Sequence, residues 1–350
     1  MLQRRLIPVL MAPALVPPAQ AQTARPTNTQ PNRAPPAPAP GPAVNWRGAN
    51  ITMVERFPLG SAEARRSLRL LASLGVDSVA FTPFLWQPAA DSVEVVRGND
   101  LPDPVLVAGI QQAKELGLRV LVKPHLWVQG ARQGEARMGN DNAWRRWFTT
   151  YNAALVAMAR VAQEAGADAM AIGTALPRAA ARPEWRSTIE AMRGAFRGRL
   201  TYVATDSEEA ETFPHWPALD AIGVRIFRPL GPDDRPEEWA APMQREAERL
   251  DRLAERHRKR VWVAELGVRS AASAAANPAL SAEERPSIAD QRVQAEVIAR
   301  WLRRLDRPSV EGVFLWRWFS DPTRGGPDDT DFTFQNKLAE GVLLHAWLTR

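Results

Sequence analysis

From residue 45 to the C-terminus, two patterns of apolar and polar positions take turns. Stretches with apolar residues three and four apart end at a glycine, and short, nearly unbroken apolar runs follow them. Ser61 is placed to N-cap a helix carrying Leu68, Leu71 and Ala72 on one face, and Gly75 stops it. The run Asp77 to Phe84 comes next. The junction returns with Leu106, Ile110 and Ala113 ahead of Gly117 and the run Leu118 to Lys123. It returns again with Glu164-Ala165-Gly166 ahead of Asp168 to Gly173. Further runs lie at Leu200 to Ala204, Leu219 to Ile226, Val261 to Glu265 and Gly312 to Trp316, and Trp46 to Ile51 opens the set, which makes eight strands.

Near-continuous apolar strands suit a parallel sheet covered on both faces. Eight of them separated by helices predict an α/β fold, a single (β/α)8 TIM barrel over residues 45–350, near the size expected for that fold with some insertions. A doubly wound open sheet is the alternative. It prefers a glycine-rich phosphate turn after the first strand, and Arg47-Gly48-Ala49-Asn50 does not supply one.

The residues ahead of the barrel follow neither pattern. Arg4 and Arg5 precede the apolar stretch Leu6 to Val16, and Ala19-Gln20-Ala21 has the small-x-small form of a cleavage site. Residues 1–21 therefore read as a signal peptide, the alternative being a disordered N-terminus. Residues 22–44, mostly Pro, Ala, Thr, Asn and Gln, read as a disordered Pro/Ala-rich linker, because such a composition buries no core. The expectation is an exported protein, periplasmic or extracellular, monomeric, with no integral membrane segment after signal cleavage.

Composition removes several function classes. The net charge is +6 and the sequence pI is about 10.3, which invites a nucleic-acid partner. The basic residues are almost all arginine and alternate with acids, as in 244–259, so no nucleic acid is expected. The absence of cysteine excludes disulfides, thiolate metal sites and cysteine nucleophiles. His125, His215, His257 and His345 are too dispersed to suggest a metal site, and no cofactor is implied.

Chemistry in a (β/α)8 barrel sits at the C-terminal ends of the strands. The residues there are Glu55, Trp86, Lys123, His125, Trp127, Thr174, Ala175, Asp206, Glu208, Arg225, Arg228, Glu265, Trp316 and Trp318. Glu265 ends the apolar run Val261-Trp262-Val263-Ala264. A carboxylate there suits a retaining glycosidase, which sets a nucleophile and an acid/base about 5 Å apart. It equally suits pairing with an arginine or capping a helix. Trp86, Trp127, Trp316 and Trp318 at one rim suit the C–H faces of sugars, with structural packing the competing account for any one of them.

These segments carry a family resemblance. Arg47-Gly48, Pro83-Phe84-Leu85-Trp86-Gln87, Lys123-Pro124-His125, Trp144 to Tyr151, Ile172-Gly173-Thr174, Trp185-Arg186, Leu200-Thr201-Tyr202, Ala264-Glu265-Leu266-Gly267, Trp316-Arg317-Trp318 and Asp329-Thr330-Asp331-Phe332-Thr333 occur in this order. Together they make the chain from Asn45 onward resemble the β-mannanase-like barrels of glycoside hydrolase family 113. The resemblance implies that Glu265 is the nucleophile position. It also implies that Lys123, His125, Trp316, Trp318, Asp329 and Asp331 line the cleft.

Two departures stand out. Where the family has Gly-Thr-Glu, with that glutamate as acid/base, this chain has Gly173-Thr174-Ala175. Where the family tends to Ile-Gly-Ile-Asp followed by aromatics, this chain has Ile222-Gly223-Val224-Arg225-Ile226-Phe227-Arg228. An arginine facing the mouth, Arg225 or Arg228, would pair with Glu265; the alternative is that one of them points to solvent, which strand alternation permits. Glu135, Asp206 and Glu208 are the candidates for a relocated acid. The expected partner is a β-linked, mannan-like poly- or oligosaccharide, bound or acted on with a weakened or lost acid/base step. The alternatives are a glycan-binding pseudoenzyme at the cell surface and a scaffold that merely uses the fold. The arginine-rich mouth also leaves room for an acidic sugar or another anionic ligand.

Overall fold

The computed structural model describes residues 45–282 and 284–348, so the expected signal peptide and linker lie outside the described residues. Eight parallel strands close into a barrel. They are β1 (Trp46–Thr52), β2 (Ser78–Phe81), β5 (Arg119–Val122), β7 (Ala169–Thr174), β8 (Arg199–Ala204), β9 (Ala221–Ile226), β10 (Val261–Leu266) and β11 (Val310–Phe319). They follow one another around the barrel in chain order, with β11 closing on β1. Each apolar run identified from the sequence supplies one of them.

The covering helices are α1 (Ala62–Ser73), α2 (Asp103–Glu115), α3 (Asp141–Ala165), α4 (Trp185–Ala195), α5 (Ser207–Thr212), α6 (Ala240–His257), α7 (Gln291–Leu305) and α8 (Ala339–Leu348). Ser61 caps α1 as its sequence suggests, its hydroxyl accepting from the Ala64 N–H at 3.1 Å. Gly166 ends α3 in the left-handed region, φ 88°. None of the described helices is long and apolar enough to cross a membrane.

The run Asp77 to Phe84 does not stay in the barrel. Pro83 and Pro124 offer no N–H to the ladder, and both barrel strands stop before them. Beyond the prolines the chain re-pairs as β3 (Phe84–Gln87) beside β6 (His125–Val128), with the two-residue β4 (Val96–Arg97) antiparallel on the far side of β3. This small sheet extends the barrel rim on one side.

Inside the barrel, Trp46, Ala80, Leu121, Ala169, Ala221, Trp262 and Phe314 form one packed layer. Gly48 makes room for it, since a Cβ there would lie 2.2 Å from the Phe314 ring. The next layer toward the carboxyl ends is small: Ala171, Val203 and Ala264. Small residues at that level leave axial space for longer polar side chains. Asn50, fully buried, occupies part of it and donates to the carbonyls of Ala264 at 3.0 Å and Leu315 at 3.3 Å.

Candidate functional site

Glu265 reaches this space through an irregularity in β10. The pairing with β9 steps from Val263↔Val224 to Glu265↔Arg225, so β10 carries one extra residue there. The slip lets Ala264 fill the barrel axis while Glu265 also turns inward. It sets Arg225 directly opposite Glu265 on the neighbouring strand.

The Glu265 carboxylate is 2% exposed and surrounded by cations. Lys123, fully buried, donates to Oε1; His125 Nε2 stands 3.1 Å from the same oxygen; and Arg225 Nε lies 2.8 Å from Oε2. The Arg225 contact is an ion pair off the hydrogen-bond direction, because its buried Nε makes no well-directed bond. Lys123 Nζ is also 2.8 Å from His125 Nε2. That nitrogen either accepts from Lys123 or donates to Glu265, according to its tautomer.

These contacts order the protonation states. Burial works against ionisation of Glu265, but Lys123, Arg225 and His125 outweigh it and hold the carboxyl well below the usual range. Burial, aided by the Lys123 charge, lowers His125 to about 4, so the ring is neutral at pH 7. Burial lowers Lys123 to about 8, with Glu265 resisting. Near neutrality the cluster therefore holds two cations and one carboxylate.

An aromatic surface runs outward from this cluster. The Trp316 ring lies under Lys123 Nζ, 5.3 Å away, and stacks against His125 at 6.0 Å. On the rim sheet, His125, Phe84, Trp127 and Trp86 share one face. Phe84 meets both His125 and Trp127 edge-on, and Trp86 stacks on Trp127 with ring planes 11° apart. Trp127 is 47% exposed.

Other residues expected at the strand ends or in the cleft are placed elsewhere. Trp318 is not at the mouth. Between Ala49↔Leu315 and Ile51↔Trp318, β11 carries one extra residue, which reverses the alternation. The Trp318 indole is buried and donates to Ser67 of α1 at 2.8 Å. Asp329 is braced by Lys337 at 2.7 Å and Asp331 by Arg317 at 2.6 Å, so both act as struts in the segment after β11. Arg228 turns away from the mouth to Glu208 at 2.7 Å and the buried Glu246 at 2.8 Å. Glu55 is exposed in the turn after β1.

None of the relocated-acid candidates meets Glu265. Asp206 caps α5 through the Glu209 N–H at 2.8 Å, Glu208 is held by Arg228 and Arg249, and Glu135 pairs with Arg137 at 2.6 Å. Ala175 is buried, with φ 51°, and its N–H donates to the Val203 carbonyl at 2.8 Å. The loop after β6 closes over it at Gly134, where a Cβ would lie 1.9 Å from the Ala175 carbonyl oxygen. Among the described residues no carboxylate contacts Glu265.

Asn50 lies outside the strand-end positions that the sequence pattern singles out. Its spacing from Trp46 and Gly48 on one strand face, in steps of two, was the available clue.

A closed parallel barrel with a buried ionic cluster at the carboxyl ends of its strands is a (β/α)8 barrel of the kind that hosts enzyme active sites. Residues 52–337 match Glycoside Hydrolase Family 113, and the chain belongs to that family. It is similar in structure to the GH113 β-mannanase of Alicyclobacillus acidocaldarius in complex with ManMIm: TM-score 0.75, 23% identity, covering 87% of this chain and 97% of that one. It is also similar to a GH113 β-1,4-mannanase, with TM-score 0.76 and 22% identity, covering 88% of this chain and 100% of that one. At such identities these likenesses establish the shared barrel. Curated protein sequences contain no match.

Proposed function

We propose that the barrel mouth binds a β-linked, mannan-like glycan, and that hydrolysis by the usual pair of carboxylates is lost. Family membership and the β-mannanase relatives support the glycan class. The observation that carries the second half is the surroundings of Glu265. Both its oxygens face cations or His125, residue 175 is alanine, and Glu135, Asp206 and Glu208 are engaged elsewhere.

Retaining hydrolysis needs a proton for the departing oxygen, a carboxylate to attack the anomeric carbon, and a base to activate water. Ala175 supplies neither the proton nor the base. General acid–base assistance contributes about 10²–10⁴-fold, and a sugar alkoxide is a poor leaving group without it. Glu265 keeps the nucleophile position in this reading, but its charge is drawn toward Lys123 and Arg225. Recognition needs none of the missing parts. Trp316, Trp86 and Trp127 offer apolar faces for sugar rings, and the polar groups around Glu265 can meet hydroxyls.

A second reading is favoured by the ionised state of Glu265. A carboxylate ready to attack can still displace an activated leaving group that requires no protonation.

The test is calorimetric titration with β-1,4-mannopentaose, together with product analysis after prolonged incubation. Binding without cleavage is expected. Failure to bind β-1,4-linked manno- or gluco-oligosaccharides would remove the glycan reading. Export is part of the proposal and rests on residues 1–21. Fractionation of the native host should place the mature chain, beginning near Gln22, outside the cytoplasm.

A further inference from the structure

Arg225 is the charged group at the mouth that the cluster leaves unsatisfied. Its Nε is buried against Glu265, and its guanidinium lies 5.2 Å from the centre of the Phe227 ring. The two contacts fix the plane of the group. Its two terminal nitrogens make no hydrogen bond to any described residue, and the side chain is 25% exposed. The neighbouring arginines of the rim differ. Arg228 is satisfied by Glu208 and Glu246, and Arg317 hydrogen-bonds Asp331 through a terminal nitrogen, although its Nε is also buried without a partner.

The charge count points the same way. Lys123 and Arg225 contribute two positive charges, Glu265 one negative, and His125 none at neutral pH. The acids of the segment after β11, Asp329 and Asp331, already answer Lys337 and Arg317. One positive charge is left over at a largely buried site, and a neutral sugar leaves it unanswered. A cluster that carries one net positive charge favours an anionic ligand over a neutral one.

We propose that Arg225 makes the mouth selective for a carboxylate carried on the sugar ring, so that the ligand is a uronate-containing glycan. A planar carboxylate matches the open pair of guanidinium nitrogens in two parallel hydrogen bonds. One carboxylate also neutralises the cluster, whereas a phosphate dianion would overshoot it. This inference rests on the glycan-binding reading above and narrows it. The backbone remains β-linked and mannan-like, and the primary hydroxymethyl group of at least one bound residue is replaced by carboxylate.

The experiment uses three trisaccharides with the same β-1,4-linked backbone: mannotriose, mannotriose 6-sulfate and trimannuronate. Each is titrated into the wild-type protein, Arg225→Gln and Arg225→Lys, with thermal unfolding of every variant as a folding control. Wild type is expected to bind trimannuronate about tenfold or more tighter than mannotriose. The preference should fall below about twofold in Arg225→Gln and survive in part in Arg225→Lys, which keeps the charge but not the fork. Equal binding of mannotriose and trimannuronate overturns the carboxylate assignment and leaves the glycan reading standing. Tightest binding of the 6-sulfate overturns it in favour of a tetrahedral anion. No binding of any of the three removes this inference together with the glycan reading. If Arg225→Gln does not fold, the wild-type ranking and Arg225→Lys still decide the matter.

Discussion

Neutralising the response of His125 to acid tests the electrostatic account of the cluster without any substrate. His125 is packed between Phe84 and Trp316, with Lys123, Glu265 and Arg225 the charged groups around it. Burial and Lys123 lower it from 6.5 to about 4. Above pH 6.5 the ring is neutral in both folded and unfolded chains and stability is unaffected. As the pH falls below 6.5 the unfolded chain takes up a proton that the folded protein refuses until about pH 4, so stability drops across that window. The shift amounts to about 3 kcal/mol when complete, and to about 2 kcal/mol at pH 5. Glu265 works in a separate range. Its depressed value gives stability that is present above 4.5 and is lost only as the pH falls below it. His215 and His257 are also lowered by burial, so the wild-type curve alone is a sum. The informative quantity is the difference between wild type and His125→Gln, measured by urea unfolding at intervals from pH 7.5 to 4.5. The gap should move in favour of the variant by about 2 kcal/mol between pH 7 and pH 5. Parallel curves for the two proteins over that range would refute the buried, neutral imidazole.

Four further variants probe placement. Trp318→Ala should cost about 3–5 kcal/mol in urea unfolding, because the indole is buried against α1. Trp127→Ala should change stability by less than about 1 kcal/mol, since the ring is 47% exposed, and should weaken mannopentaose binding in calorimetry. Arg228→Met should destabilise by about 3 kcal/mol by stranding the buried Glu246, with glycan affinity unchanged, whereas a role at the mouth would show as lost affinity. Gly134→Ala should lower the unfolding midpoint and cost about 2 kcal/mol or more. A Cβ at its left-handed backbone meets the Ala175 carbonyl, and an unaffected midpoint would mean the loop does not close on Ala175.

The barrel was legible because each strand is a short apolar run with a glycine stop ahead of several of them, a pattern set by local chemistry. Pro83 and Pro124 were equally visible, and their missing donors explain why the second strand ends earlier than its apolar run. The site was less legible because single-residue slips decide which side chains face inward. Alternation along an ideal strand places Trp318 beside Trp316, and one extra residue in β11 sends it to α1 instead. The slip in β10 brings Glu265 and Arg225 together, which no spacing within either strand reveals. Tryptophan abundance carried less information than its positions. Most of these rings pack in the core, and only Trp86, Trp127 and Trp316 are partly open. Ala175 was plain from the sequence, but its consequence depended on where Glu135, Asp206 and Glu208 point, and each of those is committed to a neighbour.

Turnover with and without azide decides whether Glu265 still attacks in the absence of an acid/base partner. With 2,4-dinitrophenyl β-mannoside, whose leaving group needs no proton, the wild type should turn over slowly. Added azide should accelerate it and yield the β-mannosyl azide, while unactivated mannotetraose stays intact. Cleavage of mannotetraose at a rate indifferent to azide would contradict the account, because it would require a working general acid where the barrel presents Ala175.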